Sequence, residues 1–125
     1  MIMKTSKLRQ GNIVDYECTY HKITMIFKQS VQSYWIGAKE HYINNNYTCS
    51  IDSIKPIPLT EELLLKCGFK RDSDLKNSLC KFGIWFNVKN MEATYLSQKL
   101  IKINYLHQLQ NLYWCLTGEE LEINM

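Results

Sequence analysis

Apolar and polar positions follow two different periods along the chain. Up to about residue 58 they alternate in short runs, the period of strands half buried against a core. In Tyr20 to Phe27, His21, Ile23, Met25 and Phe27 share one side, and Tyr20, Lys22, Thr24 and Ile26 the other. Asn12 to Glu17 precedes this run, with Glu17, Cys18 and Thr19 as the connection, and Ser33 to Lys39 follows as an aromatic-rich third strand. Asn44 to Asn46 reads as a polar turn. Tyr47, Cys49 and Ile51 then alternate with Thr48, Ser50 and Asp52, before Pro56 and Pro58 close the region as an edge or exit. Four or five short strands in this space predict a small curved antiparallel sheet, an SH3-like barrel being one way to close it.

Beyond Pro58 the period lengthens. Thr60 is a good N-cap, Glu61 and Glu62 suit the positive end of a helix, and Gly68 is placed to end it, which predicts one short helix. Phe69 to Lys76 reads as a loop or strand end. Leu79 to Val88 reads as one strand with Phe82, Ile84, Phe86 and Val88 on one face and Lys81, Gly83, Trp85 and Asn87 on the other. Glu92 to Ser97 pairs back on it across a turn near Lys89 to Met91, giving a β-hairpin, and Lys99 to Ile103 is a candidate further strand. From Asn104 to Leu121 the spacing predicts an amphipathic helix. Leu106, Leu109, Tyr113 and Leu116 form its apolar face, Tyr105 and Leu112 widen it, and His107, Gln108, Gln110 and Asn111 fall to the sides or opposite. Gly118 supplies the left-handed stop.

The expectation is one integrated α+β domain over 1–125, with a strand-rich half (8–58) and a helix–hairpin–helix half (59–121). The chain of 125 residues is long enough to bury a core without staples. Its five cysteines are odd in number and lack a CxxC pair, which reads as a reducing cytoplasm with thiols acting as small core hydrophobes. The amino terminus lacks a signal-peptide pattern and no apolar run reaches membrane-spanning length, so the expected location is the cytoplasm of a host cell, with no membrane partner.

Three blocks of sequence resemble a family. Ile57 to Phe69, IPLTEELLLKCGF, and the ending HQLQNLY followed by LTGEEL resemble small, mostly uncharacterised proteins encoded by phages and prophages of the Bacteroidetes, and Leu8 to Val14, LRQGNIV, is similar to their opening. Leu63 stands where that family often has Trp, Cys67 where it has Phe, and Trp114 and Cys115 where Phe and Ala are common. The resemblance implies a mobile-element origin and carries no established active site.

Motifs for catalysis are absent from the sequence: no glycine-rich phosphate loop, HExxH, GxSxG or zinc-spaced cluster occurs. His21, His41 and His107 are scattered, and the Glu61–Glu62 and Glu119–Glu120 pairs have structural explanations, so no catalytic, cofactor-binding or metal residue is assigned and the protein is expected not to be an enzyme. What remains is a surplus of aromatics. Trp85, Tyr34 and Trp35 are candidate anchors for a protein partner. The leading expectation is a phage accessory protein that inhibits a bacterial antiviral defence component, an anti-CRISPR-like inhibitor of a CRISPR effector ribonucleoprotein being the instance. A different class is RNA or DNA binding by the basic half through Lys7, Arg9, Lys22, Lys28 and Lys39, interleaved with aromatics. The net charge of +3 is small for that role, although residues 1–60 hold seven Lys or Arg against four acids. A phage structural or assembly protein is the third expectation.

Overall fold

The computed structural model describes residues 3–36, 47–72, 77–96, 98–99 and 103–124. The first five strands are β1 (Ile13–Tyr16), β2 (Thr19–Ile26), β3 (Ser30–Trp35), β4 (Tyr47–Ser50) and β5 (Ile54–Lys55). They form an antiparallel sheet in the order β4-β3-β2-β1-β5, curled into a half-barrel rather than a closed barrel. The connection between β1 and β2 is the two residues Glu17 and Cys18, both at positive φ (51° and 64°) as a primed hairpin turn requires. The expected polar turn at Asn44–Asn46, the far end of the Ser33–Lys39 strand, and Lys39, His41 and Tyr42 lie outside the described residues.

The alternation along β2 holds through His21 and Ile23 and then breaks. Pairing with β3 slips between Ile23 and Met25, leaving Thr24 as the extra residue of a bulge. Side chains beyond the bulge change face: Ile26 packs on the core, while Met25 and Phe27, expected beside Ile23, are exposed. Val14, Ile23, Val31, Cys49 and Ile54 fill the concave side, and Met3 and Leu8, flanking a 3-10 turn at Thr5–Lys7, complete this core.

Helix α1 (Glu61–Lys66) starts as the sequence dictates, with Thr60 Oγ1 accepting the Leu63 N–H at 3.1 Å. The second half holds more strand than one hairpin. β6 (Lys70–Arg71), β7 (Ser78–Lys81), β8 (Ile84–Asn87), β9 (Glu92–Tyr95) and β10 (Gln98–Lys99) form a second antiparallel sheet in the order β10-β9-β8-β7-β6. The single strand expected over Leu79–Val88 is in fact the β7–β8 hairpin. Phe82 (φ 51°) and Gly83 (φ 76°) form its turn, so Phe82 is exposed rather than aligned with Ile84 and Phe86. Leu79, Ile84, Phe86 and Ala93 point inward against Leu63 and Leu64 of α1, its C-cap Cys67, and Leu106 and Leu109 of α2 (Leu106–Thr117).

α2 ends at Gly118 in the left-handed conformation (φ 73°), and Gln108 reaches back to accept the N–H groups of Asn104 and Tyr105 at 2.9 and 3.1 Å. Its polar residues are not all at the surface: His107 and Gln110 are buried. The cause is position, because α2 lies on the second sheet with one face and against β1 with another. Ile13 of β1 belongs to the core that α2 shares with the second sheet. Cysteines divide likewise. Cys49 and Cys67 are buried as expected, Cys80 is intermediate, but Cys18 and Cys115 are exposed, one in a turn and one on the outer side of α2. No helix among the described residues is long and apolar enough to cross a membrane.

Candidate partner-binding surfaces on the half-barrel

Tyr34 and Trp35 are neighbours in β3 and therefore face opposite sides of the sheet. Trp35 continues the concave row of Val31 and Ser33 past the end of the core. There it lines a pocket of about 230 Å³ with Tyr16, Glu17, Thr19, His21 and Tyr47. The elements make this convergence unavoidable: Tyr16 and Thr19 flank the β1–β2 turn, His21 pairs with Trp35, and Ser33 pairs with Tyr47. Trp35 is 46% and Tyr47 49% exposed, an unusual amount of open aromatic surface at one mouth.

His21 is the floor of this mouth. Its ring stands edge-on to Tyr16 (centroids 5.2 Å) and Tyr47 (5.6 Å). Thr19 Oγ1 donates its only proton to the Tyr16 carbonyl at 2.7 Å, so it must accept from His21 Nε2–H at 2.9 Å. That fixes the tautomer. His21 Nδ1 then accepts from the Ser33 hydroxyl at 3.1 Å, and Ser33 in turn accepts from the Cys49 thiol at 3.9 Å. Burial pushes the imidazole below its ordinary range, opposed by the carboxylates of Asp15 and Glu17. The ring is thus a neutral, fully bonded support with no bonding position left for chemistry.

Tyr34 lies on the convex side in a larger groove of about 610 Å³ between β1–β3 and the segment after α2. Lys22, its cross-strand partner, shares that groove with Glu120 and Glu122. Arg9 is occupied. Its guanidinium pairs with both oxygens of Glu120, donates to Asn111 Oδ1 at 3.2 Å and to the Gln10 carbonyl at 3.0 Å, and lies 4.9 Å from the centre of the Trp114 ring. The hydrogen bonds from Arg9 hold the Glu120 carboxyl below its usual range. Lys7 and Lys28 are exposed, Lys7 on the amino-terminal 3-10 turn and Lys28 in the β2–β3 turn. Arg9 and Lys22 thus share the neighbourhood of Glu120, and Thr5, on the same 3-10 turn as Lys7, donates to the Lys28 carbonyl at 3.0 Å.

Trp85 is half-buried on the outer side of the second sheet. Register places Lys70, Cys80, Trp85, Thr94 and Lys99 in one row across it. This row is separate from the mouth on the half-barrel. Sequence reasoning singled out Trp35 but missed Tyr16, Glu17 and His21 as its neighbours; the signal was their position beside a tight turn, which brings strand ends together. Among the described residues no three His, Cys, Asp or Glu side chains gather as a metal site. No protein-family model, curated protein or solved structure matches the chain.

Proposed function

We propose that this is a non-catalytic binding protein that docks a bacterial host protein through the aromatic mouth of the half-barrel, with Trp35 and Tyr47 as anchors. The observation that carries the reading is the pair of half-exposed rings, Trp35 and Tyr47, held over a rigid, fully hydrogen-bonded His21. Aromatic side chains offer large contact area at low ordering cost, and on a fixed floor little of that area has to be organised on binding. The resemblance to phage and prophage proteins supplies the target class: a component of antiviral defence, such as a CRISPR effector complex, silenced by occlusion.

Nucleic-acid binding by the basic half draws less support, because Arg9 is neutralised by Glu120 and Lys22 faces Glu120 and Glu122. The test is affinity capture from host lysate, with and without nuclease, using the wild type, Trp35→Ala and Trp85→Ala, each verified as folded by circular dichroism. One protein retained in near-stoichiometric amount by the wild type and Trp85→Ala after nuclease, and lost with Trp35→Ala, is the expected result. Equal retention by Trp35→Ala removes the mouth from the reading. Recovery of nucleic acid alone moves the function to the basic half, and self-association at micromolar concentration without a host partner favours an assembly role.

A further inference from the structure

We infer that the aromatic mouth is a cation site, and that the group it takes from its partner is the guanidinium of an arginine side chain. The inference rests on reading the mouth as a docking surface and names the chemistry recognised there. The faces and edges of Tyr16, His21, Trp35 and Tyr47 surround a space of about 230 Å³ whose only charged lining group, among the described residues, is the Glu17 carboxylate. Rings attract a cation electrostatically, and a carboxylate at the rim adds to that attraction. His21 contributes no opposing charge, because both of its nitrogens are engaged in the neutral pattern described above.

The choice between the two basic side chains follows from the acceptors left over. Thr19 Oγ1 already donates to the Tyr16 carbonyl and accepts from His21, and the Tyr16 hydroxyl is engaged with Glu17 and Cys49. The acceptor with capacity to spare is therefore the Glu17 carboxylate, whose two oxygens take more than the one bond from Tyr16. An ammonium is a compact, strongly hydrated charge whose three donors need acceptors spread around it. A guanidinium is flat and weakly hydrated, stacks on a ring and meets one carboxylate through two parallel N–H groups. The mouth is furnished for the second. The protein already uses this pairing within itself, where the Arg9 guanidinium lies over the Trp114 ring, 4.9 Å from its centre, while bonded to Glu120.

The test is a proton–nitrogen NMR titration of the intact protein with Nα-acetyl-arginine methylamide, its neutral isostere Nα-acetyl-citrulline methylamide, and Nα-acetyl-lysine methylamide. The readout is the Trp35 indole N–H peak, assigned through Trp35→Phe. A saturable shift with the arginine probe is expected, with the citrulline probe weaker by about tenfold, the size of one partly desolvated cation–ring contact. Glu17→Gln should weaken the arginine probe severalfold and reduce its dependence on salt. Equal binding of citrulline would make the mouth a plain apolar pocket, and tighter binding of lysine or no saturation would also overturn the assignment. If the arginine probe fails while capture of a host protein still depends on Trp35, this inference falls and the docking reading stands; if the probe binds and no protein is captured, the reverse holds.

Discussion

Gln110 Oε1 accepts the backbone N–H of Ile13 at 2.8 Å. The same side chain donates through Nε2 to the Gly11 carbonyl at 3.0 Å, so one buried amide from α2 stands in for a missing strand. β5 pairs with β1 only at Asp15 and Tyr16, and Ile13 projects beyond its end. Gln110→Leu keeps the bulk but leaves both backbone groups unpaired. It should cost about 2 to 3 kcal/mol, the penalty for stranding buried polar groups. Urea denaturation measures it, and a loss below about 0.5 kcal/mol, the range of ordinary surface changes, would show that the bonds contribute nothing net.

Cys18 sits exposed in the β1–β2 turn at φ 64°, a conformation that strains any residue with a Cβ. Cys18→Gly should therefore raise stability, by about 0.5 to 1 kcal/mol after the entropy of the freer unfolded chain is subtracted. A lower denaturation midpoint would mean that Cys18 makes a contact that offsets the strain.

His107 is buried, stacks on Tyr105 at 6.1 Å, and has no hydrogen-bond partner at Nδ1 among the described residues. Burial pushes it, like His21, below the ordinary value of 6.5. As pH falls from 6.5 the unfolded chain takes up protons before the folded one, so stability is present above that value and is lost below it. His107→Phe keeps the stack and removes the stranded nitrogen. It should stabilise the fold at pH 7 by about 1 kcal/mol and flatten the loss of stability between pH 6.5 and 5. An unchanged pH profile would assign that loss to other groups. The carboxyl of Glu120 titrates in a separate window, with stability lost below its usual 4.5.

Gly83 and Gly118 separate two terms of one argument. Both have positive φ, 76° and 73°, so an alanine strains the backbone by about 1 kcal/mol at either site. At Gly118 an added Cβ meets nothing within 4 Å, whereas at Gly83 it comes within 3.2 Å of Tyr95 Cε2. Gly83→Ala should be the more damaging in thermal unfolding; equal losses would mean that Tyr95 moves aside freely.

Where local chemistry decides structure, the sequence was readable: Thr60 caps α1, Gly118 stops α2, and the α+β class follows. Where two parities are both apolar it was not. Leu79 and Phe86 are both buried yet lie at odd and even positions, which a single strand forbids and a hairpin requires; that break, with Gly83 inside it, was the missed signal. The run from Ile23 to Phe27 is apolar on both sides of the bulge, so nothing local marks the slip. His107 and Gln110 are polar and buried because α2 touches two layers, a tertiary fact that one helix's periodicity does not contain. The mouth was half legible, since Trp35 stood out while its neighbours needed the register of four strands.

The bonds from α2 to the start of β1 join positions 97 and 99 residues apart, and the pair of Arg9 with Glu120 spans 111. A chain made from its amino terminus completes the half-barrel long before its last helix exists. Until then Ile13 and Ile36, which belong against the second core, have nothing to cover them. Closing so long a loop adds little entropy cost beyond a shorter one, because that cost grows only with the logarithm of length. The delay is therefore one of synthesis. During it the nascent protein offers an uncovered apolar strand edge, the kind of surface that chaperones hold and that self-associates when they do not.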